Sequence, residues 1–251
     1  MVAGLPVVAQ GQTSVTMDAI VASSFVWRGV HFTNRPVTQA DAYVTHVRGD
    51  VAFTGGVWVN AEPAHYAGTA SVRMLAAGHR GPALTAIAPW IDATLTRGPL
   101  ALTGGATIYR YPQRTGFAEA FNTTELYAKA ALDTRLAPRV QVWYDVAQVQ
   151  GAYVEAGVAQ PFTLGREFSA GLTAGWSAGM ENVPGQTWYF AEPGLAAVDA
   201  TLSSGFTWGE VTVTPTLHTV YARDPAARLI GPETPLRTVK TWWTLAASWT
   251  P

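Results

Sequence analysis

TSVTMDAIVASSFVWR, residues Thr13 to Arg28, decides how the rest of the chain is read. Its odd positions are Val15, Met17, Ala19, Val21, Ser23, Phe25 and Trp27, and none is charged. Its even positions hold Thr16, Asp18, Ser24 and Arg28, with Ile20 and Val26 as apolar exceptions. A period of two places alternate side chains on opposite faces of a strand. One face is therefore apolar, and the other carries every charge.

The same alternation recurs along the chain and predicts further strands. They fall at about Val37–Val47, Val51–Glu62, Thr85–Thr96, Leu100–Tyr111, Thr123–Leu132 and Val140–Val149. The remainder are about Ala152–Gln160, Glu167–Ala178, Leu195–Trp208, Val211–Tyr221 and Thr238–Trp249, which makes twelve in all. Strands of about 9–11 residues cross a bilayer core when tilted, whereas soluble strands are typically nearer 5 or 6.

Parity separates the charges. The outward sets contain Val57 and Val59, Ile87 and Ile91, Leu100 and Leu102, Val140 and Val142, and Trp243 and Leu245. Apart from Arg110, one residue from the end of its strand, none of the twelve outward sets holds Asp, Glu, Lys or Arg. The inward sets hold Asp18, Arg28, Asp41, Glu62, Asp92, Glu125, Lys129, Asp145, Glu155, Glu167, Asp199 and Lys240. A soluble barrel shows the reverse, while a charge at the midplane of a lipid-facing strand costs about 2–4 kcal/mol. The fold class expected is all-β: one twelve-stranded antiparallel transmembrane β-barrel over 12–251, in the bacterial outer membrane. Residues 1–11 read as a signal-peptide remnant or a disordered extension, with the mature chain starting near Gln12.

Composition agrees. Among 251 residues, charged side chains are 13 % and apolar ones 48 %, with 10 Trp, 9 Tyr and 9 Phe. Soluble domains carry about 25 % charge, so this chain has little with which to cover a wet surface. A net charge of -1 without charge runs excludes nucleic acid as the main partner. No window holds the roughly 18 apolar residues of a spanning helix. With no cysteine there is neither a disulfide nor a thiolate site.

The links alternate in length. Arg48-Gly49-Asp50, Arg97-Gly98-Pro99 and Gly209-Glu210 are tight, whereas 63–84, 112–122, 179–194 and 222–237 are long. Outer-membrane barrels pair short periplasmic turns with longer extracellular loops. Trp27 and Trp176 have outward parity near one rim, and Phe53, Phe168, Trp208 and Trp249 near the other, as an aromatic girdle requires. Pro89 and Pro215 fall inside strands, and each demands a bulge or a shifted strand end.

The run Ser24-Phe25-Val26-Trp27-Arg28-Gly29-Val30 is followed by Thr33, Pro36 and Gln39, then by Gly56-Val57-Trp58-Val59-Asn60. This pattern, over roughly residues 13–62, resembles the N-terminal signature of the TorF-type porin family of Gram-negative bacteria. Tyr109-Arg110-Tyr111-Pro112 and Thr124-Glu125-Leu126-Tyr127 form a weaker second block. Ser24 stands where that family often has Asp, and His31 where it has Ser. The resemblance implies a small outer-membrane barrel proposed to be a porin, and it bears on location more than on cargo.

Nine inward acids against three inward bases favour cations if the lumen holds water. In a narrow barrel the same groups can pair and fill the lumen instead. The candidate pore-lining residues are Arg28, Asp41, Glu62, Asp92, Glu125, Lys129, Asp145 and Lys240. Arg28 has a fork that suits a carboxylate such as Asp41 or Glu62, as a rim salt bridge or as a substrate contact. Trp58, Trp90, Trp143 and Trp242 have inward parity and serve either as a stacking platform for sugars or as lumen packing. Five scattered His without paired spacing, and no Gly-x-Ser-x-Gly elbow, leave no enzymatic reading to favour. The expectation is a passive channel for small hydrophilic solutes, weakly cation-preferring, with lipid as its surroundings and no cofactor. The alternative is a closed barrel acting through the loops at 63–84 and 222–237. Oligomeric state is left open.

Overall fold

The computed structural model describes residues 11–33, 35–63, 82–112, 122–180, 190, 192–224 and 238–251. Among them are fifteen β-segments. These are β1 (Gln12–Ala22), β2 (Phe25–Trp27), β3 (Val30–Thr33), β4 (Val37–Arg48), β5 (Val51–Glu62), β6 (Ala83–Arg97), β7 (Leu100–Tyr109) and β8 (Thr123–Leu132). Then follow β9 (Arg139–Asp145), β10 (Ala152–Thr163), β11 (Glu167–Ala178), β12 (Gly194–Ser203), β13 (Phe206–Trp208), β14 (Val211–Ala222) and β15 (Val239–Trp249).

The ladder runs β1-β4-β5-β6-β7-β8-β9-β10-β11-β12, continues through β14 and β15, and returns to β1, always antiparallel. Met17 opposite Trp249 through Ala22 opposite Thr244 closes the ring. β12 and β13 are halves of one stave, because Ser203 faces Thr216 and Phe206 faces Val213 in an unbroken register on β14. The chain is thus a closed twelve-stranded antiparallel barrel.

Its outer face is apolar all the way round. Val21, Val44, Val57, Leu126, Leu172 and Leu245 are exposed there, and Ile91 is 67 % exposed. Among the described residues, the charges with outward parity, Arg48, Arg97 and Arg110, stand at or just beyond strand ends. An apolar surface of this kind suits hydrocarbon, and closure leaves no open sheet edge within it. This is the outer-membrane barrel expected from parity.

The prolines are accommodated without a register change on their own faces. β6 pairs with β7 from Arg97–Leu100 to Trp90–Thr107, and the ladder resumes only at Ile87 and Arg110, which exchange two 2.9 Å backbone bonds. Pro89, having no N–H, occupies that gap. Pro215 likewise sits opposite the Ser204-Gly205 break between β12 and β13, accepting a 3.3 Å bond from Ser204 N–H.

Two strand limits need correction. The Val140–Val149 strand stops at Asp145, which turns the chain (see below). The Thr13–Arg28 strand stops at Ala22, and Phe25–Thr33 forms a separate hairpin, β2–β3. That hairpin folds into the barrel. It gives Val30, Phe25 and Val26 to three separate apolar clusters on the inner wall, with Tyr153 and Ala222, with Val37 and Ala86, and with Val220 and Trp242 respectively. The dry interior of this protein is therefore the hairpin's seat, not a continuous core. The loop regions 63–84 and 222–237 lie largely outside the described residues, and residues 1–10 entirely so.

Candidate functional site

Two residues, Arg28 and Gly29, join Trp27 to Val30. Both have positive φ, 52° and 78°, as a type I′ hairpin turn requires at its two central positions. Gly29 has a second reason to be glycine, because a Cβ there would collide with Ala197 Cβ. Arg28 has no such freedom, and a left-handed arginine costs of order 1–3 kcal/mol. What offsets that cost is the far wall.

The Arg28 guanidinium donates from Nη1 to Glu125 Oε1 and from Nη2 to Glu125 Oε2, both at 2.7 Å. The paired side chains are only 4 % and 2 % exposed. Three rings surround the cation, with Cζ 4.0 Å from the Trp27 centroid, 4.7 Å from Trp143 and 4.8 Å from Tyr153. Burial works against the charge, but the Glu125 carboxylate outweighs it, so the Arg28 pKa is raised. Bidentate, charge-assisted bonds are the stronger kind of hydrogen bond, and removing one partner of a buried pair leaves the other charge uncompensated. The hairpin base is held separately. Ser24 Oγ–H donates to Thr33 O at 2.6 Å and accepts from Lys240 Nζ at 2.9 Å.

The expected partner of Arg28 was Asp41 or Glu62, and the structure corrects this to Glu125. Arg28 leaves the rim because its strand ends at Ala22 and the hairpin carries it across the lumen. Trp27 is corrected as well. It packs inside against Tyr109, edge-on at 6.2 Å, rather than facing lipid.

The remaining candidates divide into two groups. Asp41, Asp92 and Lys129 line a cavity of about 350 Å³ between the hairpin and the β4–β9 wall. Asp41 accepts from Trp90 Nε1–H at 3.1 Å, and Asp92 from the Tyr127 hydroxyl at 3.0 Å. Lys129 Nζ lies 4.5 Å from the Tyr127 ring centroid. Trp58, Trp90 and Trp143 line the same space. Glu62, Asp145 and Lys240 are placed otherwise. Glu62 is fully buried. Asp145 accepts from Thr123 Oγ1–H at 2.6 Å and from the N–H groups of Ala147, Gln148 and Val149, and so forms the turn after β9. Lys240 meets Ser24 at the hairpin base.

A second cavity of about 200 Å³ lies on the other side of the hairpin, lined by Arg28, Arg139, Glu155 and Asp199. Sequence reading missed Arg139, which it left just outside the Val140–Val149 strand. As the first residue of β9 it has inward parity and donates to Thr173 Oγ1 at 2.7 Å. It also missed His218, which stands between Asp199 Oδ2 at 3.5 Å and Thr244 Oγ1 at 3.3 Å and stacks on Trp242. Both have inward parity, which was the available signal. Gln39 and Asn60 of the N-terminal signature also acquire a physical role. Gln39 Nε2–H donates to Asn60 Oδ1 at 3.1 Å, and Asn60 Nδ2–H to Thr85 Oγ1 at 2.6 Å, tying β4, β5 and β6 together inside the barrel.

No protein-family model and no curated protein matches the sequence, so the TorF-type resemblance rests only on the two blocks of residues that carry it. Solved structures do resemble the chain. LpxR from Salmonella typhimurium superposes with a TM-score of 0.55 at 9 % identity, over 94 % of this chain and 99 % of that one. An outer membrane channel from Pseudomonas putida F1 gives 0.51 at 11 % identity, over 99 % and 97 %. The KdgM porin gives 0.48 at 6 % identity, over 94 % and 98 %. Identities this low establish the fold alone: a closed antiparallel β-barrel of the outer-membrane type.

Proposed function

We propose that this barrel is a narrow channel for small hydrophilic solutes, with a preference for cations. One observation carries the reading: the inward hairpin divides the lumen instead of filling it, and charge-lined space lies on both sides. A hairpin that served only to make a core would be expected to leave no cavity beside Asp41, Asp92 and Lys129. In this reading Arg28 and Glu125 set the narrowest section, and Asp41, Asp92 and Lys129 line the path. Glu62, Asp145 and Lys240 hold the wall and the hairpin. Arg139 raises the inward bases to four against nine acids, which still leaves the lumen acidic.

A second reading has its own observation. The near-complete burial of the Arg28–Glu125 pair suits a plug as well as an eyelet. Single-channel recording in planar bilayers separates the two. The channel reading expects discrete conductance steps for the intact chain, and a reversal potential in a KCl gradient shifted toward K⁺. Replacing residues 25–33 by a short glycine linker should raise the step size. An intact chain without steps, beside a linker variant that conducts, would establish the plug; two silent proteins would overturn the channel.

A further inference from the structure

The cavity lined by Asp41, Asp92 and Lys129 is unusual in what surrounds its carboxylates. Asp41 lies directly across the ladder from Asp18 on β1, both on the lumen face. Like charges in that position destabilise a sheet unless a cation lies between or beside them. The neighbours on either side are Trp58 for Asp41 and Ser248 for Asp18, so neither strand supplies one. Among the described residues, ion pairs engage Glu125, Asp50 and Asp199, but not Asp18, Asp41 or Asp92.

The rings of this cavity already bind cations from within the chain. Lys129 Nζ sits over Tyr127, and Arg28 Cζ over Trp27 and Trp143, and all three rings line the cavity. Trp58 and Trp90 line the same space beside Asp41, and Trp90 donates its N–H to that carboxylate. The electron-rich ring faces together with acids outside any ion pair form a receptor for positive charge carried on an apolar body. A carboxylated solute would meet two acids and one base here. A neutral sugar would gain stacking and could donate hydroxyls to the carboxylates, but it would not compensate their charge.

We propose that this cavity binds small organic cations of the quaternary or N-methylated ammonium class, held between Trp58, Trp90 and the carboxylates of Asp41 and Asp92. As a solute class for the lumen it rests on the channel reading, but binding itself does not require conduction. The test therefore measures binding and conductance on the same preparation.

Choline is titrated into the full-length barrel in detergent micelles, followed by calorimetry and tryptophan fluorescence. Its uncharged carbon isostere 3,3-dimethylbutanol and glucose are the controls. Saturable choline binding is expected, about tenfold or more tighter than the isostere. Asp41→Asn and Asp92→Asn should each weaken choline about tenfold while leaving the isostere unchanged, a split that general loss of structure would not give. Trp58→Tyr should retain binding that Trp58→Leu loses. Heat-resistant migration on denaturing gels reports that each variant is folded. Equal affinity for choline and the isostere, tighter binding of glucose, or no effect of the two Asn variants would overturn the site. Conductance without choline binding removes this proposal and leaves the channel. Choline binding without conductance removes the channel and leaves the site.

Discussion

β1 and the β2–β3 hairpin come from one alternating run, yet they end in different surroundings. In β1, Val15, Met17 and Val21 project into lipid. In the hairpin, Phe25 and Val30 are buried inside the barrel. Two serines make the change. Ser23 closes the ladder to β15, its N–H donating to Trp243 O at 3.0 Å and its Oγ accepting from Trp243 N–H at 3.0 Å. Ser24 then turns its hydroxyl onto Thr33 O and ties off the hairpin. Alternation reports that a segment is extended and two-faced. It does not report which medium meets each face; charge exclusion does. Phe25, Val26 and Trp27 are too few to show exclusion, so parity assigned them to lipid by continuity alone.

The comparison predicts opposite costs for charge in the two regions, the largest of them at Glu125. Glu125→Ala leaves Arg28 buried without its counter-ion, and removing one partner of such a pair costs about 3–5 kcal/mol. The hairpin can relieve this by leaving its seat, because Ser23 and Ser24 bound it at the base. The expected outcome is an intact barrel whose Arg28 peptide bond becomes open to trypsin and whose conductance rises. Protection equal to that of the native chain would show that the apolar contacts of Phe25, Val26 and Val30 hold the hairpin without the latch.

Ile91→Arg probes the other face. Ile91 is central in β6 and the most exposed of the outward aliphatic residues in the spanning strands. An arginine there should cost about 2–4 kcal/mol, read from equilibrium unfolding out of bilayers. The inward neighbour Asp92→Arg should cost much less, because the lumen solvates it. Equal penalties at the two positions would mean that the faces do not differ in solvent.

Most of the wall was legible. Val51–Glu62, Thr123–Leu132 and Glu167–Ala178 fall where alternation put them, because each keeps its period between two turn signals. The hairpin was less so, although Arg28-Gly29 carries a two-residue turn signal that a strand reading passes over. The choice of Glu125 by Arg28 was not legible at all, since it joins residues 97 positions apart across the lumen. Local pattern fixes which face a side chain takes; a contact across the barrel depends on diameter and tilt, which no single strand encodes.

Gly29→Ala tests the fit of the hairpin tip. The new methyl must share space with Ala197 Cβ at a positive φ that alanine resists. Overpacking of this size costs about 1–3 kcal/mol, and it falls on hairpin docking rather than on the barrel. Ala197→Gly in the same chain should restore part of the loss. A double variant no better docked than Gly29→Ala would place the strain in the backbone and not in the contact.

The smallest expected effect is Pro89→Ala, on the lipid side of β6. The register that pairs Trp90 with Thr107 and Ile87 with Arg110 sets residue 89 opposite Ile108, where proline offers no N–H. Alanine would restore one ladder bond, worth about 0.5–1.5 kcal/mol. It would also give the unfolded chain back the freedom that proline removes, about 0.4–1 kcal/mol in the other direction. The two nearly cancel, so the unfolding midpoint should move little. A gain well above 1 kcal/mol would mean that hydrocarbon makes an unfilled ladder position costlier than these soluble-protein values allow.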